Sequence, residues 1–256
     1  MVRTMKIGLR CPAHVSSVEQ TLQYALVAHG GGGRFWLTSQ SATRSILLGA
    51  SLLGNGFPLP LGIVVPDGAS GREIARQASE LARLAGQRVV LAWAADRSSD
   101  LEEFRAETLS DGTSHAIAGA VLSPSRPTTA NADASLSFTS RYLPDDVNVS
   151  DAAVPDGVAY ADFLFFDVPQ ARRSAGGRAT YESGVVERLQ QLSVPLGIGQ
   201  STLDRVDEQE FVIGVEEGHG EVDPVRELLV LERAMTEASE FVASARALRA
   251  REIFGW

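Results

Sequence analysis

Few side chains in this sequence have both the type and the setting for catalysis, and His14 is the first. It follows a short apolar run, Lys6 to Pro12 (KIGLRCP), where a strand gives way to a loop. An imidazole there has the chemistry to serve as acid or base, the alternative being a solvated loop histidine. The turn Gly199-Gln200-Ser201-Thr202 is a second candidate, because a glycine-containing turn into a helix points backbone N–H groups at an anion. Its alternative is a plain strand-to-helix turn with Ser201 as cap. Glu216, Glu217, His219 and Glu221 have ligand chemistry but no fixed helical spacing, so no metal site is expected. Asp145, Asp146, Asp151 and Asp156 read as a solvated acidic loop. Cys11, the sole cysteine, excludes an intrachain disulfide and reads as a small buried residue.

Composition narrows the class. The 32 acidic residues outweigh 23 basic ones, and the net charge of −9 argues against a nucleic-acid partner, which needs clustered Lys and Arg. Apolar residues at 44% and charged ones at 21% are ordinary for a globular chain. No apolar run reaches the roughly 18 residues of a spanning helix, and Met1 to Lys6 is too short for the charged region of a signal peptide. A cytoplasmic protein with no membrane contact is expected.

The elements that must position these residues alternate. After KIGLRCP, Ser16-x-x-Glu19 forms a capping box for a helix carrying Val18, Leu22, Ala25 and Leu26, stopped by Gly30 to Gly33. Strands follow at Arg34 to Thr38, Leu61 to Pro66 and Arg88 to Ala95. Helices lie between them, marked by Ile46, Leu47, Ala50 and Leu53, then by Ile74, Ala78, Leu81 and Leu84. A helix is expected from Ser99 to Leu109, a fifth strand at Leu136 to Tyr142, and a sixth at Asp162 to Val168. Gln170 to Arg178 reads as a mobile polar segment. A helix through Val185, Val186, Leu189 and Leu192 precedes a seventh strand at Val194 to Gly199 and an eighth at Phe211 to Val215. Asp223-Pro224 starts the last helix. Short apolar strands alternating with helices imply a parallel α/β sheet, closed or open. The whole chain, residues 1 to 256, reads as one domain.

The order of these elements, and above all IARQASELARLAGQRVVLAWA, resembles the amino-terminal half of the bacterial-luciferase-like flavin monooxygenase family over residues 5 to 95. The resemblance implies a single TIM-type (β/α)8 barrel, here with a shortened or irregular second half. It implies FMN, or in one branch a deazaflavin, at the carboxyl ends of the strands, where the active sites of such barrels lie. The implied activity is oxygenation of an organic metabolite by reduced FMN and oxygen. A small-molecule substrate, a separate flavin reductase and a homodimer formed through the helices at 41–54 and 71–86 go with it.

The sequence offers candidates for each part of such a site. Val65 and Trp93 end strands three and four and can line a flat ring slot, and Ser39 and Gln40 can meet the ring edge. Gln40 joins His14 as a candidate catalytic residue. Arg97, Ser140 and Arg141 are candidate phosphate donors, and Gly199 and Ser201 form the second anion site. The chain departs from the family where Gly86-Gln87-Arg88 replaces Gly-Gly-Arg and where Trp93 stands in a place that the family keeps open beside the flavin. Those departures favour the alternative expectation, a barrel that binds no flavin or does not react it, or a non-redox isomerase or cyclase. Trp36 is expected in core packing, inside the barrel or under the helices.

Overall fold

A computed structural model describes residues 4–12, 14–39, 41–57, 61–66, 68–85, 89–94, 98–110, 116–122, 163–170, 172–175, 178–181, 184–186, 189, 208–215 and 223–254. The first half alternates strictly: β1 (Thr4–Arg10), α1 (Val18–Gly30), β2 (Arg34–Leu37), α2 (Ala42–Gly54), β3 (Leu61–Val64), α3 (Gly71–Ala85), β4 (Val89–Ala94), α4 (Ser98–Ser110). Then come β5 (Ala116–Leu122), β6 (Phe163–Gln170), a hairpin of β7 (Arg172–Ala175) and β8 (Arg178–Tyr181), β9 (Glu208–Val215) and α5 (Pro224–Phe254).

Local signals set the helix ends. The first helix takes Ser17 as its cap, one residue later than the Ser16 box, with the Ser17 hydroxyl accepting from the Gln20 N–H at 3.1 Å. Gly32, at φ 66°, makes the left-handed turn into β2 that a side chain would resist. In α2 the cap is Ser41, and in α5 it is Asp223, whose carboxylate accepts from the Arg226 N–H at 3.2 Å.

Among the described residues seven parallel strands pair in the order β1-β2-β3-β4-β5-β6-β9, and β9 returns to β1 to close the barrel. The expected α/β class with a parallel sheet is therefore present, with one strand fewer in the ring than eight. β6 pairs directly with β9 along its whole length, from Phe163↔Glu208 to Gln170↔Val215, so no strand lies between them. The fifth position belongs to Ala116–Leu122 and not to the expected Leu136 to Tyr142, and the segment read as mobile forms the antiparallel β7–β8 hairpin. The strands expected at 136–142 and 194–199 lie outside the described residues.

Each strand divides its residues between two cores, because successive side chains point to opposite faces. Outward residues Ile7, Leu9, Phe35, Leu37, Phe211 and Ile213 pack with α1 and α5 through Tyr24, Ala25, Leu231 and Met235. On the other flank, Ile63, Val89 and Leu91 pack with Ile74, Ala78 and Leu81 of α3 and Leu101 and Phe104 of α4. Inward residues Trp36, Val90, Ala92, Phe163, Phe165 and Val212 fill the barrel. Among the described residues no helix is long and apolar enough to cross a membrane.

Candidate active site at the carboxyl end of the barrel

The amino end of the barrel is sealed by a charged plug. Glu210, fully buried on β9, accepts from the Arg34 guanidinium at 2.6 Å and from the Trp36 indole N–H at 2.7 Å. Arg34 also stacks over the rings of Trp36 and Phe163, 5.6 and 5.7 Å from their centroids. The indole fits because β1 and β3 carry glycines beside it. A Cβ on Gly62 would sit 2.4 Å from the Trp36 ring, and one on Gly8 would meet Glu210 and Trp36 at 2.7 Å. Trp36 is thus barrel-interior packing.

Towards the carboxyl ends the inward set changes character. Arg10 ends β1 in the same alternation as Gly8, and its guanidinium lies over Gly214 of β9, whose hypothetical Cβ would be 2.8 Å from Arg10 Nε. On β3 and β4 the inward residues are Val64, packed against the interior cluster, and Ala92. This corrects two expected slot residues. Val65 and Trp93 are one residue out of phase with the interior and are buried in the layer against α3 and α4. Trp93 packs on Phe104, ring centroids 4.8 Å apart, so the indole neither lines nor fills the mouth.

The loop after β1 holds a proton-active cluster. His14 Nε2 lies 3.4 Å from Glu227 Oε1, with the imidazole 38% exposed and the carboxylate buried on the first turn of α5. The same oxygen accepts from the Tyr24 hydroxyl of α1 at 2.8 Å. Cys11 is buried nearby, and its pKa is pushed up to about 12 by desolvation and then by the Glu227 charge, against a hydrogen bond from Thr21. A thiol held neutral in this way is no nucleophile at neutral pH. His14 therefore has the carboxylate partner that orients an acid–base histidine.

Ser39 has a structural task. Its hydroxyl meets the Ser41 carbonyl at 2.5 Å and Ser45 Oγ at 3.0 Å, and accepts from the Ser41 N–H, tying β2 to the start of α2. That network uses the oxygen expected at a flavin edge. Gln40, Arg97, Ser140, Arg141, Gly199 and Ser201 lie outside the described residues, as do Glu216, Glu217, His219, Glu221 and the Asp145–Asp156 cluster.

Sequence reasoning missed Arg10, Glu210, Tyr24 and Glu227. Glu210 was findable as a carboxylate adjoining the apolar run FVIGV. Arg10 was findable from its spacing to Gly8 once the inward face was known. Tyr24 and Glu227 are 203 residues apart, and nothing local joins them.

No family model matches the chain, and no curated protein matches it. Among solved structures it is similar to an uncharacterized B. cereus protein at 10% sequence identity and a TM-score of 0.36. The likeness covers 93% of this chain and 65% of the other, so the chain spans less than two thirds of that protein's length.

Proposed function

We propose that the protein is a flavin-using oxidoreductase of the luciferase-like kind. Its fold is read as a TIM-type barrel in which β6–β9 pairing closes the ring one strand short of eight. Reduced FMN, or a deazaflavin, binds at the carboxyl mouth and is delivered by a separate reductase. The observation that carries this reading is the phase of β4. Small Ala92 faces the interior while Trp93 turns to α4, so the bulk that argued against a ring slot is not in the mouth. Val64 and Ala92 offer apolar side chains for one face of a flat ring. These residues fit the apolar face of a planar cofactor.

When bound, the reduced flavin supplies the two electrons that activate oxygen towards an organic metabolite. The chain's own contribution is placement, exclusion of water and proton handling. Glu227 holds His14 through Nε2, so a proton exchanged with the bound ligand passes through Nδ1. Pairing of two copies through the faces of α2 and α3, where Leu47 is exposed, belongs to the same proposal.

A non-redox isomerase or cyclase is the second reading, favoured by the His14–Glu227–Tyr24 cluster, whose imidazole–carboxylate pairing suits a proton transfer that needs no flavin. Titrating the purified protein with oxidised and reduced FMN, followed by absorbance and fluorescence, separates the two. Micromolar binding of the reduced form is expected of the oxidoreductase. Absence of binding in both oxidation states, and of a deazaflavin, would overturn it.

A further inference from the structure

We propose that Tyr24 is the positioning residue of His14, acting through one shared oxygen of Glu227 to keep the imidazole protonated on Nε2 and Nδ1 open for proton exchange. The proposal rests on the reading of His14 as the proton-handling group; the contacts themselves stand without it. The Tyr24 hydroxyl donates to Glu227 Oε1 at 2.8 Å, and His14 Nε2 lies 3.4 Å from that same oxygen. The three side chains come from α1, from the first turn of α5 and from the loop after β1. They differ in freedom. Tyr24 is 2% exposed and Glu227 is fully buried, while the imidazole is 38% exposed.

Tyr24 lies in the core that also holds Leu9, Ala28 and Leu231, so packing fixes its hydroxyl. Glu227 is fixed at its backbone, its N–H donating to the Asp223 carbonyl at 2.9 Å. What remains free is rotation of the carboxylate, and the bond from Tyr24 removes it. An oxygen of this kind has two lone pairs. Tyr24 takes one, and the other is left for the ring. A neutral imidazole has a single N–H, so giving it to Oε1 makes Nε2 the protonated nitrogen and Nδ1 the acceptor. Packing alone does not account for the tyrosine, because phenylalanine would fill the same space. Satisfying a buried carboxylate accounts for the 2.8 Å bond but not for its falling on the oxygen nearest His14.

The test uses the full-length protein with nitrogen-labelled histidine and long-range proton–nitrogen correlation spectra, recorded well above the ordinary histidine range so that the rings are neutral. The sequence has four histidines, and the signals lost in His14→Gln identify the ring. In wild type the two His14 nitrogens should be widely separated, with the proton on Nε2. Tyr24→Phe keeps the aromatic ring and should lower the ratio of Nε2–H to Nδ1–H about fivefold, the weight of one ordinary hydrogen bond. Wild type grown on fluorotyrosine covers the case in which Tyr24→Phe does not fold. Its more acidic phenol donates more strongly to Glu227, which weakens what the oxygen offers His14 and should move the same signals. Unchanged His14 signals in either protein, or a wild-type ring protonated on Nδ1, would overturn the proposal and leave Tyr24 a packing residue. Titration with reduced FMN is read separately. If no flavin binds while His14 answers to Tyr24→Phe, the oxidoreductase reading fails and the positioning role stands; if flavin binds and His14 does not answer, the reverse holds.

Discussion

Replacing Trp93 discriminates between an indole in the mouth and an indole under a helix. The side chain is fully buried between β4 and α4 and packs on Phe104 at 4.8 Å between ring centroids. Truncation to alanine removes that contact and leaves a cavity, which costs about 3–5 kcal/mol for a large aromatic, the lost ring pairing adding about 1 kcal/mol. Trp93→Phe behaves differently. Among the described residues the buried indole Nε1 has no hydrogen-bond partner, and leaving such a donor unpaired costs about 1–3 kcal/mol. Phenylalanine gives up packing area but removes that donor, so its net cost should be about 1 kcal/mol. Urea unfolding followed by tryptophan fluorescence and circular dichroism gives both values, and titration with reduced FMN gives the functional one. Flavin affinity should stay within about twofold of wild type in both variants, since neither alters the inward face of β4. A tenfold gain in flavin affinity for Trp93→Ala, with stability reduced by less than about 1 kcal/mol, would refute the placement of the ring. If the alanine variant does not fold, the phenylalanine variant still carries the affinity comparison.

Glu210→Gln should destabilise by about 3 kcal/mol because it leaves the Arg34 guanidinium, 10% exposed, against a neutral partner. Replacing Arg34 and Glu210 together by methionine should cost less than the sum of the single changes, and additivity in a denaturation cycle would show that the two are not coupled. Tyr24→Phe should cost about 1–3 kcal/mol by removing the hydroxyl that donates to buried Glu227; no loss in the same assay would mean that the carboxylate does not depend on it. The Cys11 thiol has its pKa raised from 9.0 to about 12, so its contribution is fully present below pH 9 and is lost as pH rises through 12. In that window the unfolded thiol ionises while the folded one stays protonated, and stability should fall by about 1.4 kcal/mol per pH unit more steeply than in Cys11→Ala. Parallel pH profiles for the two proteins would contradict this, as would rapid alkylation of native Cys11 by iodoacetamide at pH 8.

The first four strand-helix units were legible because their apolar runs end at strong punctuation: Gly30 to Gly33, Gly54-Asn55-Gly56 and Pro66. Phase was not legible. A strand of a parallel sheet is buried on both faces, so VVLAWA and LGIVV are continuous apolar runs with no alternation to say which residue points inward. A slip of one residue exchanges the faces, and that slip put Val65 and Trp93 in the mouth in place of Val64 and Ala92. Of the site, His14 was legible from its place after a strand. Its partner was not, because Glu227 reaches it through the packing of α5 on the first strand-helix unit. Ser39 was legible as polar and rim-placed, but the cap of α2 competes for its hydroxyl, a competition that shows only once Ser41 and Ser45 are in place.

Closing the ring with seven strands has a consequence for where a ligand can sit. Barrel diameter grows with strand number, so a ring one strand smaller than eight has less interior to fill. Trp36, Phe163 and Phe165 fill it, with Trp36 and Phe165 in edge contact at 4.8 Å between centroids. The Trp36 indole fits only because β1 and β3 lack a Cβ at Gly8 and Gly62. Under the proposed function, a planar ligand the size of a flavin ring would therefore rest on the carboxyl ends of the strands, above Ala92 and Val64, and not down the axis. Recognition then falls to residues at the last turn of each strand and the loop beyond it. Arg10 ends β1, the strand bonded to both β2 and β9, and His14 stands in the loop beyond it. Substituting Gly62 by alanine tests the packing half of this argument: its Cβ would meet the Trp36 ring at 2.4 Å, so the indole must move and the Glu210 hydrogen bond must break or lengthen. Stability should fall by about 1–3 kcal/mol, with a shift in tryptophan emission as the indole leaves its acceptor. An unchanged emission spectrum and unfolding midpoint would mean that the interior has room to spare, and with it room for a ligand deeper in the barrel.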